Sequence, residues 1–344
     1  MAYNKIVLKG QTLIDLTSDT VTPDTLAVGA TAHDKTGAPI VGTMSGGGGG
    51  TGANTKYGAT IDTFLGDVNA NGVLQAPTAQ TDLVFDGVTD LANFALQYKF
   101  YENHVVSSVS FPQLVQMSGG SALNSCFQSA SLENISFPVL QSVTGYRGFY
   151  DAFYDSSIQS VSFPALITVS GSSAFDSAFS QCGEITSASF PVLEEATGDS
   201  SFNYCFYYCS ALTSVSFPKL KKIGSDTATS SNYLHFGNAF YSTKVTSLEF
   251  PELTAIYCTG SGAYYGTFYN NGTIQKMYFP KLTVIDKSPA YTGNSTSQNY
   301  IFSGCNSLTE LHFGAANQAA IEATEGYPTL WGRGAGNATV YFDL

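Results

Sequence analysis

The 344-residue chain reads as an α+β repeat solenoid, with one short strand and one short helical turn per rung, behind a small β-rich N-terminal module. Three observations predict this. First, a Phe-Pro pair starts at Phe111, Phe137, Phe163, Phe190, Phe217, Phe250 and Phe279, and Phe313 repeats the pattern with Gly314 in place of proline. The steps are 26, 26, 27, 27, 33, 29 and 34 residues, a period that signals stacked units, none able to bury its apolar side alone. Second, residues before each Phe alternate, as in Ser214-Val215-Ser216-Phe217, which is the period of a half-buried strand. Third, the aromatic pairs Phe149/Phe153, Phe175/Phe179, Phe202/Phe206 and Phe236/Phe240 have the spacing that puts two rings on one face of a helical turn.

Residues 1–44 form the first module, with strand-like runs at Lys5–Leu8 and Ile40–Met44 and a turn at Lys35-Thr36-Gly37. Residues 45–52, rich in glycine, make a flexible linker. Residues 53–82 read as a cap, with Ile61, Phe64, Leu65, Val68, Val73 and Leu74 supplying its apolar surface. The solenoid runs over 83–315. Phe85 falls in register as a first strand without its proline, so nine rungs from Phe85 to Phe313 span roughly 40 Å at the usual strand spacing. In each rung proline lacks an amide donor, so it ends the strand and turns the chain. The following Leu and aliphatic, Leu166 and Val169 for example, point back into the core. Inserts fall at Gly224–Leu234, Tyr257–Tyr265 and Asp286–Tyr300, the kind of loop that carries binding on a rigid scaffold. Residues 316–344 break the period, hold Trp331, and close with a last strand near Ala338–Phe342 as a C-terminal cap.

Composition narrows the function. The net charge is −12, which disfavours nucleic acid and anionic membranes, since both ask for a basic footprint. No apolar stretch approaches the roughly 20 residues of a membrane span, and Met1–Lys9 lacks the apolar core of a secretory signal. The charged residues amount to only 12%, and the plentiful Ser, Thr, Gly and Tyr suit sugars or a protein face. Of six cysteines, Cys126 and Cys205 share a column with Ala152, Ala178, Ala239 and Thr267, while Cys182, Cys209 and Cys305 share one with Ala130, Ser156 and Thr243. Small buried residues explain both columns, with a Cys182–Cys209 disulfide left open. The four histidines do not combine with them into a metal-ligand set, and His104 and His235 read as surface or interface residues.

Two surfaces are candidate ligand sites. The residue after the second aromatic is Tyr101, Tyr154, Tyr207, Tyr241 and Tyr269, which stacked rung on rung would form a tyrosine row, either for binding or for packing. The outward strand position is Ser110, Ser136, Ser162, Ser189 and Ser216, a solvated ladder, and then changes to Glu249, Tyr278 and His312. The ligand-binding residues expected are therefore Tyr154, Tyr207, Tyr241, Tyr269, Glu249, Tyr278 and His312. No catalytic residues are expected. The Gly46–Gly50 run lacks the strand–helix context of a phosphate loop, and no cofactor or metal is implied. Asp151, Asp155 and Asp176 lie close in the repeat frame and could mimic the acid pair of a glycosidase, but solvated carboxylates on a turn account for them.

The units Ala178-Phe179…Cys182…Ile185…Ala188…Phe190-Pro191 and Cys205-Phe206…Cys209…Leu212…Val215…Phe217-Pro218 resemble the BspA-type leucine-rich repeat. The unit Ile301-Phe302…Cys305…Leu308…Leu311…Phe313 does so except for its proline. The resemblance covers about 83–315 and implies a non-catalytic recognition scaffold of a surface or secreted protein. Gly10–Thr17, Asp19–Pro23 and Gly29…Thr31–Gly37…Ile40–Thr43 resemble a module of bacteriophage tail proteins. Together these imply a phage tail fibre or receptor-binding protein in a virion, adhering to a host-surface glycan or protein. Residues 1–44 would meet other tail or baseplate proteins, and the resemblance implies a homotrimer. The alternatives are a bacterial cell-surface adhesin and a polysaccharide-degrading tailspike.

Overall fold

Phenylalanine at the end of each strand sets the architecture. In the computed structural model, Phe85, Phe111, Phe137, Phe163, Phe190, Phe217, Phe250, Phe279 and Phe313 form one continuous stack, with ring centroids 4.5 to 5.9 Å apart. The structure describes residues 82–227, 234–257, 267–285, 301–324, 327 and 338–344, together with the backbone of Thr81, of Asp286 and of strands Lys5–Leu8, Gln11–Asp15, Thr31–His33, Pro39–Val41 and Thr55–Gly58. The linker, the apolar residues of the expected cap, Trp331, Cys258, the Lys35–Gly37 turn and the middles of the three inserts lie outside them.

Each rung has three sides. The first is the strand ending at Phe, such as Ser160–Ser162, Ser187–Ser189 and Ser214–Ser216, which pair in parallel and in register. Alternation puts Val161 and Ala188 inward, with serine on either flank. The same parallel arrangement runs from Thr55–Gly58 through Thr81–Phe85, Val106–Ser110 and Asn134–Ser136. At the other end it passes through Ser247–Glu249, Lys276–Phe279 and Glu310–Phe313 to Thr339–Phe342. The second side follows the Phe-Pro turn and is a seven-stranded parallel sheet from Gln116–Met117 to Val284–Asp286. It ends at a corner where rungs approach so closely that only glycine fits. A Cβ on Gly145 would lie 2.1 Å from the Gly119 carbonyl oxygen, and one on Gly171 would lie 2.2 Å from that of Gly145.

The third side differs from the helical turn expected. Every fourth residue there has positive φ (Arg147, Asp151 and Asp155, then Ser173, Ser177 and Gln181), which no right-handed helix contains. The amides therefore alternate in direction. Phe149, Asp151 and Phe153 donate across to Ala174, Asp176 and Ala178 of the next rung, while Tyr150, Ala152 and Tyr154 donate three residues back. A helix would point all its N–H groups at its own carbonyls and leave none for the neighbour. Left-handed backbone costs about 1–2 kcal/mol at each such residue, and the fold recovers this through the cross-rung hydrogen bonds and through burial. The spacing of four still brings the paired rings together, with Phe149 and Phe153 6.2 Å apart. The rings also stack between rungs, Phe149 on Phe175 at 4.6 Å and Phe153 on Phe179 at 5.2 Å.

The core is thus a spine of phenylalanine stacks flanked by Leu, Val and Ile from the other two sides, all buried. Helix is confined, among the described residues, to Ala315–Asn317 and Gln318–Glu322, beyond the last full rung. The first module shows two antiparallel pairs, Lys5–Leu8 with Gln11–Asp15 and Thr31–His33 with Pro39–Val41. Among the described residues no helix is long and apolar enough to cross a membrane.

The small-residue columns are buried as expected. Cys126, Cys182, Cys205, Cys209 and Cys305 are free thiols, so Cys182 and Cys209 are not bonded to each other. Instead the Cys182 and Cys209 Sγ each donate to the Phe carbonyl of the preceding rung, Phe153 and Phe179, at 2.9 Å. Burial pushes the Cys182 thiol up to about 11 and that of Cys305 to about 12. His235 corrects a sequence expectation. It is not a surface residue but is fully buried, donating from Nδ1 to the Gly198 carbonyl at 3.1 Å, and its burial lowers its pKa to about 4.

Candidate functional site

The expected binding residues fall on two different sides of the rung. On the strand side, Glu249, Tyr278 and His312 come together because their strands pair in register, Glu249 opposite Tyr278 and Tyr278 opposite His312. His312 is sandwiched between Tyr278 and Tyr341, with centroids at 4.6 and 4.8 Å and rings within 15° of parallel. Its Nδ1 meets the Asp343 carboxylate at 2.9 Å and its Nε2 meets Glu310 at 3.1 Å, while Lys276 pairs with Glu310 at 2.9 Å. Sequence reading missed Tyr341, although the closing strand was legible and its register with His312 would have given it. The serines before this cluster form the expected ladder except for Ser110. That residue is buried, as is Val84 opposite it.

On the turn side, the tyrosine row is real but broken. Tyr207 stacks on Tyr241 at 5.3 Å, and Tyr208 packs edge-on against both. Gln128 and Ser180 interrupt the row on either side of Tyr154. Tyr269 does not continue it. Phe236 donates to Thr267 and Asn238 to Tyr269, so Phe268 stacks on Phe236 rather than Phe240, and Tyr269 joins the column of Tyr150, Asp176 and Asn203. Asn271 fills the vacated core position, accepting from the Phe240 amide and donating to the Phe236 and Phe268 carbonyls.

Between Tyr154 and Tyr207 the row opens into a notch of about 340 Å³, lined also by Tyr150, Asp176, Asn203 and Tyr204. Sequence spacing had put Asp151, Asp155 and Asp176 near one another, and the structure separates their roles. Asp176 is mostly covered, accepts from Ser177 Oγ at 3.1 Å and Asn203 Nδ2 at 3.5 Å, and burial raises its carboxyl to about 6. Asp151, one rung earlier, donates its amide to the Asp176 carbonyl. Its carboxyl is also raised to about 6, first by burial and then by the charge of Asp176, against the pull of Arg147. Asp155 points out at an exposed left-handed position, so it is the solvated carboxylate expected, whereas the other two are not. Arg147 lies 4.5 Å over the Tyr150 ring. Among the described residues no group of His, Cys, Asp or Glu is arranged to hold a metal ion.

No curated protein matches the chain in sequence. Among solved structures it is similar to a leucine-rich repeat protein from Bacteroides ovatus, 17% identical over 78% of this chain and 70% of that one, with a TM-score of 0.34. A leucine rich cell surface protein from Faecalibacterium prausnitzii is 12% identical over 86% and 89% of the two chains, with a TM-score of 0.24. Pneumococcal vaccine antigen PcpA is 10% identical over 93% and 89%, with a TM-score of 0.22. Scores this low carry no weight for fold or function. The repeats themselves do. Six copies of the BspA type leucine rich repeat match residues 121–253 and 177–323, spanning the rungs whose stacking is described above. The chain belongs to the BspA-type leucine-rich repeat family.

Proposed function

We propose that this protein is a non-catalytic recognition arm, the receptor-binding part of a phage-tail-type fibre or spike, which adheres to a host-surface glycan or protein. The observation that carries the reading is the division of labour within each rung. The stacked Phe and their neighbouring Leu, Val and Ile columns form one continuous core, while tyrosine, amide and carboxylate side chains line its outside. Solenoids use such extended surfaces for binding. The viral assignment, the attachment of residues 1–44 to tail or baseplate proteins and the homotrimeric state all rest on the resemblance of the N-terminal segment. Deleting residues 1–44 should leave cell binding intact and abolish incorporation into particles. Retained incorporation would remove the attachment role, and fractionation with the cell envelope would favour the cell-surface adhesin instead.

A second reading is favoured by one observation, the two carboxyls raised to about 6 at Asp151 and Asp176. Groups tuned in this way occur in polysaccharide-cleaving sites. Release of reducing ends from host polysaccharide, lost in Asp151→Asn and Asp176→Asn, would establish it. Binding without release sets it aside.

A further inference from the structure

We infer that the notch between Tyr154 and Tyr207 is a single-sugar subsite that takes a neutral pyranose. This deepens the recognition reading above and rests on it. The geometry follows from one small residue. Where tyrosines occupy neighbouring rungs, as Tyr207 and Tyr241 do, their rings close on each other at 5.3 Å and leave no room. Ser180 stands in that column between Tyr154 and Tyr207, so these two tyrosines stand two rung steps apart, about 9–10 Å, at either side of the notch. A space of that width accepts one ring-shaped ligand with a tyrosine on each side, and tyrosine offers both apolar area and a hydroxyl there.

The polar groups converge from the floor. Asn203 is 8% exposed, and its Nδ2 lies 3.5 Å from the Asp176 carboxylate. Asp176 supplies a carboxylate beside it. Gln181 donates to the Tyr154 hydroxyl and fixes that wall. Hydroxyl-rich ligands suit acceptors set between aromatic faces. The carboxylates of Asp151 and Asp176, on an acidic chain, disfavour anionic sugars. The single guanidinium of Arg147, which lies over Tyr150, offsets only part of the charge of these two carboxylates.

The test is a saturation-transfer titration of the full chain with methyl glucoside, methyl galactoside and methyl glucuronide, alongside a cell-binding assay. At least one neutral glycoside should bind, and the glucuronide at least tenfold more weakly. Ser180→Tyr, which closes the row, and Tyr207→Ser, which removes one wall, should each weaken that binding at least tenfold with an unchanged circular dichroism spectrum. Tyr207→Ser keeps the test valid if the larger side chain at 180 does not fold. No neutral glycoside bound, equal binding by the folded variants, or equal binding of the glucuronide would overturn the subsite. If the chain and both variants bind cells equally while no glycoside binds, the subsite falls and the recognition reading stands. If the unmodified chain fails to bind cells, the recognition reading itself falls.

Discussion

The rungs from Phe111 to Phe217 and those from Phe250 to Phe313 share one core and differ in almost everything outside it. The first set repeats every 26 or 27 residues and, from Ser136 onward, presents serine on its strand face, whereas the second steps by 29 to 34 residues and presents Glu249, Tyr278 and His312. The Phe stack nonetheless passes through both without a break, at 5.9 Å from Phe217 to Phe250 and 5.5 Å onward to Phe279. Rung length is therefore free to vary where the chain leaves the core columns, and surface chemistry can change without affecting stacking.

That comparison can be broken most severely at the core. Phe163→Ala in the regular half and Phe279→Ala in the irregular half should each cost about 3–5 kcal/mol, the usual range for a buried ring. Equal losses in chemical denaturation would show that one core serves both halves, and a much smaller loss at Phe279 would show that it does not. The corner glycines come next. Gly171→Ala and Gly314→Ala would each set a Cβ within about 2 Å of a carbonyl oxygen, Gly145 and Pro280 respectively, so each should cost about 1–3 kcal/mol.

A smaller effect separates the halves by pH. Asp176, in the regular half, has a folded value near 6, above its ordinary 3.8, so its ionisation opposes folding above pH 6 and the penalty fades as pH falls toward 4. Asp176→Asn should therefore raise stability on the order of 1–2 kcal/mol at pH 8 and leave it unchanged at pH 4. Buried His235 acts in the opposite sense. Its folded value of about 4 lies below 6.5, so its contribution is present above pH 6.5 and is lost as pH falls toward 4. A denaturation midpoint that fell equally for the variant and the parent between pH 8 and pH 4 would contradict the assignment to Asp176. The smallest effect is local to the irregular half. His312→Ala removes the ring between Tyr278 and Tyr341, which should loosen Thr339–Phe342 on the order of 1 kcal/mol, measured as faster amide exchange in that strand alone.

The strand side was legible because alternation and a Phe-Pro stop admit little else, and even Phe85 could be placed without its proline. The turn side was only half legible. An aromatic at every fourth position is what a helix requires, and equally what a chain with left-handed residues at every fourth position requires, so Phe149 and Phe153 identify a face without identifying the backbone beneath it. Tyr269 misled for a related reason. Its distance from Phe279 matches the other units, but Asn271 takes the core place that a second phenylalanine would have filled, and the register moves by one turn. The notch was missed because its cause is an absence, a serine at 180 in a column read for its tyrosines. The corner glycines went unread, because they answer to a backbone contact that side-chain patterns do not encode.

In-register pairing between successive strands gives each unit a partner directly before and directly after it and leaves the more distant units untouched. A gene encoding such a chain can gain or lose a whole copy, joining Phe163 to Pro191 for instance, and still present the same edges for closure. The length of the stack is then adjustable in increments of one strand spacing, without redesign of anything inside.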